Sequence, residues 1–114
     1  MPLTAGIFIA TPVAGLAYPI SLVDYTTGHH LVKQLVIQPY YNNQGTGFVG
    51  TPTMTPLSTP PVGVYKQLPI PTPTTIPEFA IDEKDVPNGL DLFEFAVASS
   101  AGGSDGFVLY WNEQ

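Results

Sequence analysis

The sequence predicts an all-β chain: a single small β-sandwich or jelly-roll-like domain with an extended Pro/Thr-rich arm and essentially no helix. Three observations carry that expectation. No window of a dozen residues free of proline and glycine shows a 3.6-residue apolar period. Short runs rich in Val, Ile, Leu, Phe and Tyr recur at a spacing of about 8 to 12 residues, with turn-forming residues between them. Eight of the 13 prolines fall within residues 51–77, where fixed φ angles and missing N–H donors exclude helix and interior strand.

Taken in order, residues 5–10 form a short apolar strand, and a loop through Pro12, Gly15 and Pro19 follows. Residues 20–25 and 30–37 read as a hairpin closed by Thr26, Thr27, Gly28 and His29, with the glycine available for positive φ. The return strand sets Leu31, Lys33, Leu35 and Ile37 on one face and Val32, Gln34 and Val36 on the other, so both faces are partly covered. Pro39 ends it. The polar turn 40–47 precedes a minimal strand at Phe48, Val49 and Gly50. Within the Pro-rich segment, Val62, Val64, Lys66 and Leu68 alternate against Gly63, Tyr65 and Gln67 as an edge strand. Phe79, Ala80 and Ile81 lead into an acidic loop, and Pro87, Asn88 and Gly89 mark a turn. Residues 92–98 alternate, Phe93, Phe95 and Val97 sharing a face that Glu94 avoids. The turn 102–106 then leads to Phe107, Val108, Leu109, Tyr110 and Trp111, which should pair with 92–98 as a core hairpin. The domain is therefore taken as residues 1–114, with 1–19 as N-terminal strand and arm and 51–77 as a Pro-rich extended segment.

Six Phe, six Tyr and one Trp, with many aliphatics, argue for a packed fold despite 13 prolines and 11 glycines. A chain of 114 residues holds one modest core. The net charge is −6, with no arginine and three lysines. Nucleic acid and an anionic membrane are thereby disfavoured as partners, since both need cations at the contact. Six of the nine acids lie within residues 78–94, a solvated loop without the ligand spacing of a calcium site. No leader or membrane-spanning segment is expected, because the apolar stretch 7–23 is broken by Pro12, Gly15 and Pro19.

Reactive constellations are absent from the pattern. Cysteine is missing, so neither a disulfide framework nor a thiolate site is available. His29 and His30 are adjacent and point to opposite faces of an extended chain, so no metal is assigned, although Asp24 lies across the expected turn from them. Ser99, Ser100 and Ser104 lack a nucleophile elbow, and Gly102, Gly103 and Gly106 lack the following helix and lysine of a phosphate cradle. Glu78, Asp91 and Glu94 offer paired carboxylates but no deep cleft. No enzyme, cofactor or catalytic residue is expected. The candidate interaction surface comprises Pro52, Pro56, Pro60, Pro61, Tyr40 and Tyr41. Tyr40 and Tyr41 beside Asn42 also offer the flat rings and amides of a sugar-binding loop.

From residue 33 onward the order of elements resembles small β-structured virion proteins of tailed bacteriophages, the class of head decoration (cement) proteins and small jelly-roll head modules. The strand 31–37 is followed by Asn42, Asn43, Gln44, Gly45, Thr46 and Gly47 leading into Phe48, Val49 and Gly50. The edge strand 63–68, the turn Asn88-Gly89-Leu90-Asp91-Leu92 and the closing strand 105–111 then follow in the order of that class. The resemblance covers about two thirds of the chain and rests on turns and strand lengths; the Pro/Thr arm is longer than the pattern. It implies a non-enzymatic virion structural protein on the outer capsid surface that binds the major capsid protein and forms a homotrimer or other homo-oligomer. The alternatives are a glycan-binding or host-attachment module, with Tyr40, Tyr41, Asn42 and Trp111 at its site, or a tail or neck structural protein.

Overall fold

A computed structural model describes residues 6–24 and 28–113. Nine strands are described: β1 (Ile7–Ala10), β2 (Tyr18–Pro19), β3 (Leu31–Pro39), β4 (Gly47–Thr55), β5 (Val62–Leu68), β6 (Phe79–Asp82), β7 (Leu90–Asp91), β8 (Ala96–Ser99) and β9 (Gly106–Glu113). Helical structure among the described residues is confined to three single 3₁₀ turns, Ile20–Leu22, Glu83–Asp85 and Leu92–Glu94. The chain is nearly all-β, as its patterning predicts. One sheet runs β1-β9-β3-β6, with β7 also paired to β3; the other runs β2-β8-β4-β5. All pairings are antiparallel, and four of them are nested one inside the next: β1 with β9, β2 with β8, β3 with β6 and β4 with β5.

The two sheets share one core. Leu35, Ile37, Phe107, Leu109 and Trp111 from the first meet Val49, Leu68 and Val97 from the second, all buried. In β3 the pairing with β9 shifts between Val32 and Gln34. That bulge changes the phase of the strand by one residue, so Val32 joins Leu35 and Ile37 inside while Leu31 and Lys33 stay exposed. The poor alternation of residues 31–37, with both faces partly covered, accords with this arrangement, in which Val32, Leu35, Val36 and Ile37 are all buried.

Two expected hairpins are not formed. Among the described residues, 20–24 do not pair with β3: β2 joins β8 in the other sheet, and Ile20 begins a 3₁₀ turn anchored by its N–H to the Phe95 carbonyl at 3.1 Å. The expected turn at Thr26 and Thr27 lies outside the described residues. Likewise β8 and β9 lie in different sheets, and residues 100–105 carry the chain across the core. The alternation over 92–98 places Phe95 and Val97 in the core and leaves Glu94 exposed, as expected. Its first residues nevertheless turn, because the Asp91 carboxylate accepts the Phe93 N–H at 3.0 Å and caps the 3₁₀ turn.

The Pro-rich segment is only partly an extended connection. Residues 51–55 continue β4 and 62–68 form the edge strand β5. β4 pairs with β8 only over residues 47–50, whereas β5 accompanies it to Thr55. Pro52 therefore lies where no neighbour on the β8 side asks for an N–H, and the β-branched threonines favour strand. The overhanging hairpin turns back over the second sheet, so that Met54 is buried with Phe48, Ala96 and Ala98. Gly50 permits this: a Cβ there would lie 2.2 Å from the Gly63 carbonyl oxygen and 2.7 Å from Met54 Sδ. Pro56 is buried, residues 57–61 form the exposed tip of the hairpin, and residues 69–77 are a largely exposed connection pinned by a bridge between Thr72 and Thr75.

Candidate interaction surface

Tyr40 and Tyr41 begin the loop 40–46 between β3 and β4. Their ring centroids are 4.7 Å apart, and Phe8 from β1 meets Tyr40 edge-on at 5.4 Å. Tyr41 and Phe8 are exposed, and a shallow depression lined by Gly6, Phe8, Tyr40 and Val108 continues the aromatic surface.

That loop is held from below by buried polar groups. Asn43 acts as a strand residue through its side chain, donating from Nδ2 to the Gly106 carbonyl at 2.8 Å and accepting the Gly106 N–H on Oδ1 at 2.9 Å. The Asp105 carboxylate, 1% exposed, accepts the N–H groups of Gln44 at 2.8 Å and Gly45 at 2.9 Å and the Ser99 hydroxyl at 2.6 Å. Its carbonyl accepts both the N–H and the hydroxyl of Thr11. One residue thus joins the end of β1, the tyrosine loop and the crossing from β8 to β9. A buried carboxylate with this many donors is satisfied and rigid.

The β4–β5 hairpin supplies a second exposed feature. Leu57 at its tip lies against Gly15 of the loop after β1, where a Cβ would come 2.8 Å from Leu57 Cδ1. Val13, Leu16, Leu57 and Val62 are each more than half exposed, an apolar ridge built by two segments that fold onto each other. Pro52, Pro60 and Pro61 are exposed at this hairpin. Pro56 is not available to a partner, because it is buried. The tyrosine pair and the prolines belong to different loops.

The histidines are tied to carboxylates. His29 Nδ1 meets Asp91 Oδ2 at 2.5 Å. His30, whose side chain is 13% exposed, bridges Asp24 through Nδ1 and Glu113 through Nε2, both at 2.7 Å. Asp24 is thus beside His30, as its place across the turn suggested. Burial opposes a charge on His30, but the hydrogen bonds and negative charges of Glu113 and Asp24 outweigh it and raise its pKa. Burial likewise opposes ionisation of Asp91, yet donors from the His30 N–H, His29 and the Phe93 N–H hold its pKa below the usual value. The hydrogen bond from His30 lowers that of Glu113. Among the described residues no group of three or more His, Asp or Glu is arranged to hold a metal.

Trp111 is 5% exposed, packs edge-on to His30 at 5.7 Å and donates from Nε1 to Glu113 at 3.0 Å. It belongs to the core, so the grouping of Tyr40, Tyr41, Asn42 and Trp111 into one sugar site is corrected. The sequence pattern assigns Phe8, Leu57 and Asp105 no part in this surface. An Asp-Gly pair before the last strand was the available signal for Asp105, but its partners Gln44 and Gly45 lie some 60 residues away. No helix among the described residues is long and apolar enough to cross a membrane. No protein-family model, curated protein or solved structure matches this chain.

Proposed function

We propose that this protein is a jelly-roll structural component of a tailed-phage virion, a non-enzymatic decoration or cement protein that binds the major capsid protein on the outer face of the head. The nested pairing of first strand with last, second with next to last and so on inward supports the jelly-roll assignment, since a ribbon of four strand pairs rolled over itself gives this order. Viral capsid domains and lectins share that architecture.

The observation that carries the docking role is the ridge of Val13, Leu16, Leu57 and Val62. Four large aliphatic side chains held out by two braced loops invite a protein partner, whether a copy of the same chain in a trimer or other homo-oligomer or the shell itself. A surface with no arginine and a net charge of −6 suits the outside of a head, away from packaged nucleic acid. The test is the mass in solution by light scattering, followed by co-pelleting with empty phage shells. A defined oligomer that pellets stoichiometrically supports the role, and a monomer left in the supernatant rejects it. A host-attachment module that binds glycans is the second reading, favoured by the Phe8, Tyr40 and Tyr41 cluster. Sugar-array binding abolished by Tyr41→Ala would select it.

A further inference from the structure

Between the free edges of the two sheets, where β5 and β6 have no outer neighbour, lies a cavity of about 290 Å³. Three aromatic rings line it. Tyr65 of β5 meets Phe95 at 5.6 Å and 65°, and Phe79 of β6 meets Phe95 at 6.1 Å and 51°, so the rings stand at different angles around one space. Ile81, Val86, Gly89, Asp91 and Glu94 make up the rest of the lining. The Asp91 carboxylate is held by the N–H groups of His30 and Phe93 and by His29, which keeps it ionised. Glu94 is exposed and has no hydrogen-bond partner among the described residues.

No lysine lines the cavity, and Lys66, next to Tyr65, is committed to the Glu78 carbonyl at 3.0 Å. An anion would find two carboxylates and no cationic donor. A neutral apolar group would cover the rings without using those charges. A cation with an apolar stem uses both, through attraction to ring faces and to the carboxylates. The volume is at the low end for ligand pockets, suited to a side chain rather than a whole cofactor. An adjoining depression, which shares Val86, Gly89, Asp91 and Glu94 and adds His29, Leu31 and Asn88, leaves room for the chain that would carry it.

We propose that this cavity receives the alkylammonium side chain of a lysine presented by a partner protein. The site does not depend on the virion assignment, because its test uses a model compound rather than shells. ¹⁵N-labelled protein is titrated with Nα-acetyl-lysine N-methylamide, with the neutral norleucine analogue and with n-butylammonium, while amide shifts are followed by NMR. The lysine derivative is expected to give saturable shifts centred on Tyr65, Gly89 and Glu94. Binding should weaken about tenfold with the norleucine analogue, in Glu94→Gln and in Tyr65→Leu, whose altered side chains are exposed, so that spectral changes in the free variants stay confined to immediate neighbours such as Phe95. The proposal is overturned if the lysine derivative gives no saturable shift or if norleucine binds equally well. It is overturned also if only n-butylammonium binds, since the cavity would then exclude a side chain attached to a backbone.

Discussion

Replacing Asp105 probes the clip that holds the tyrosine loop to the sheets. Its carboxylate accepts three hydrogen bonds, from Gln44 N–H, Gly45 N–H and the Ser99 hydroxyl, in a site that is 1% exposed. Bonds to a charged acceptor contribute ~1.5–3 kcal/mol each, but deletion also removes the cost of burying the carboxylate. Asp105→Ala is therefore expected to cost about 4 kcal/mol, a large part of the ~6–17 kcal/mol that a chain of this length commands. Asp105→Asn separates hydrogen bonding from shape. Oδ1 serves Gln44 and Oδ2 serves Gly45, so either amide orientation turns an NH₂ towards one backbone N–H, whereas the Ser99 hydroxyl can rotate to accept. One orphaned N–H costs about 2 kcal/mol. Urea unfolding followed by the fluorescence of the single, buried Trp111 measures both values. A loss under about 1 kcal/mol for alanine, or an asparagine variant as stable as the parent, would refute the assignment of Asp105 as a buried multiple acceptor.

Stability should also follow the histidine cluster. His30 has a raised pKa, so its contribution is complete below the unfolded value of 6.5 and fades as pH climbs through the folded one; Glu113 and Asp91 have lowered values, so theirs are complete above 4.5 and fade as pH falls through the folded ones. Thermal melts should therefore peak between 4.5 and 6.5, and His30→Gln should flatten the alkaline decline; an unchanged profile in that variant rejects the bridge. Gly50→Ala should destabilise by about 2 kcal/mol or more, because the new Cβ meets backbone that cannot move aside, and a neutral result would mean that the pairing of β4 with β5 at this point yields easily. Met54→Ala removes the side chain under the overhang and should cost about 2 kcal/mol in a chemical melt, the low end for core methionine because the cluster is small. Leu57→Ser, at an exposed site, should change stability by less than about 0.5 kcal/mol yet abolish oligomer formation and shell binding; retention of both would remove the ridge from the interface.

The amino-acid order by itself determined that the chain is β-structured with no helix expected beyond a turn, because no window of a dozen residues free of proline and glycine carries a 3.6-residue period and alternation survives only over short runs. It also located β1, β3, β5 and β9 closely, and placed Asp24 near His30, since these are features of local composition and short separation. Pairing partners were not legible. Tyr18 and Pro19 join β8 rather than extending a hairpin to β3, and β9 crosses to the opposite sheet from β8, because which strands meet depends on how the two sheets close over a common core. Only tertiary structure decided that Met54 and Pro56 are inside, where the pairing of β4 with β5 shifts register at Gly50 and the hairpin turns back to cover Ala96 and Ala98 of β8. The cavity under Tyr65, Phe79 and Phe95 has the same origin. Its rings are up to 30 residues apart in the chain, and they meet because the edge strands carrying Tyr65 and Phe79 both reach Phe95, at the end of the 3₁₀ turn before β8.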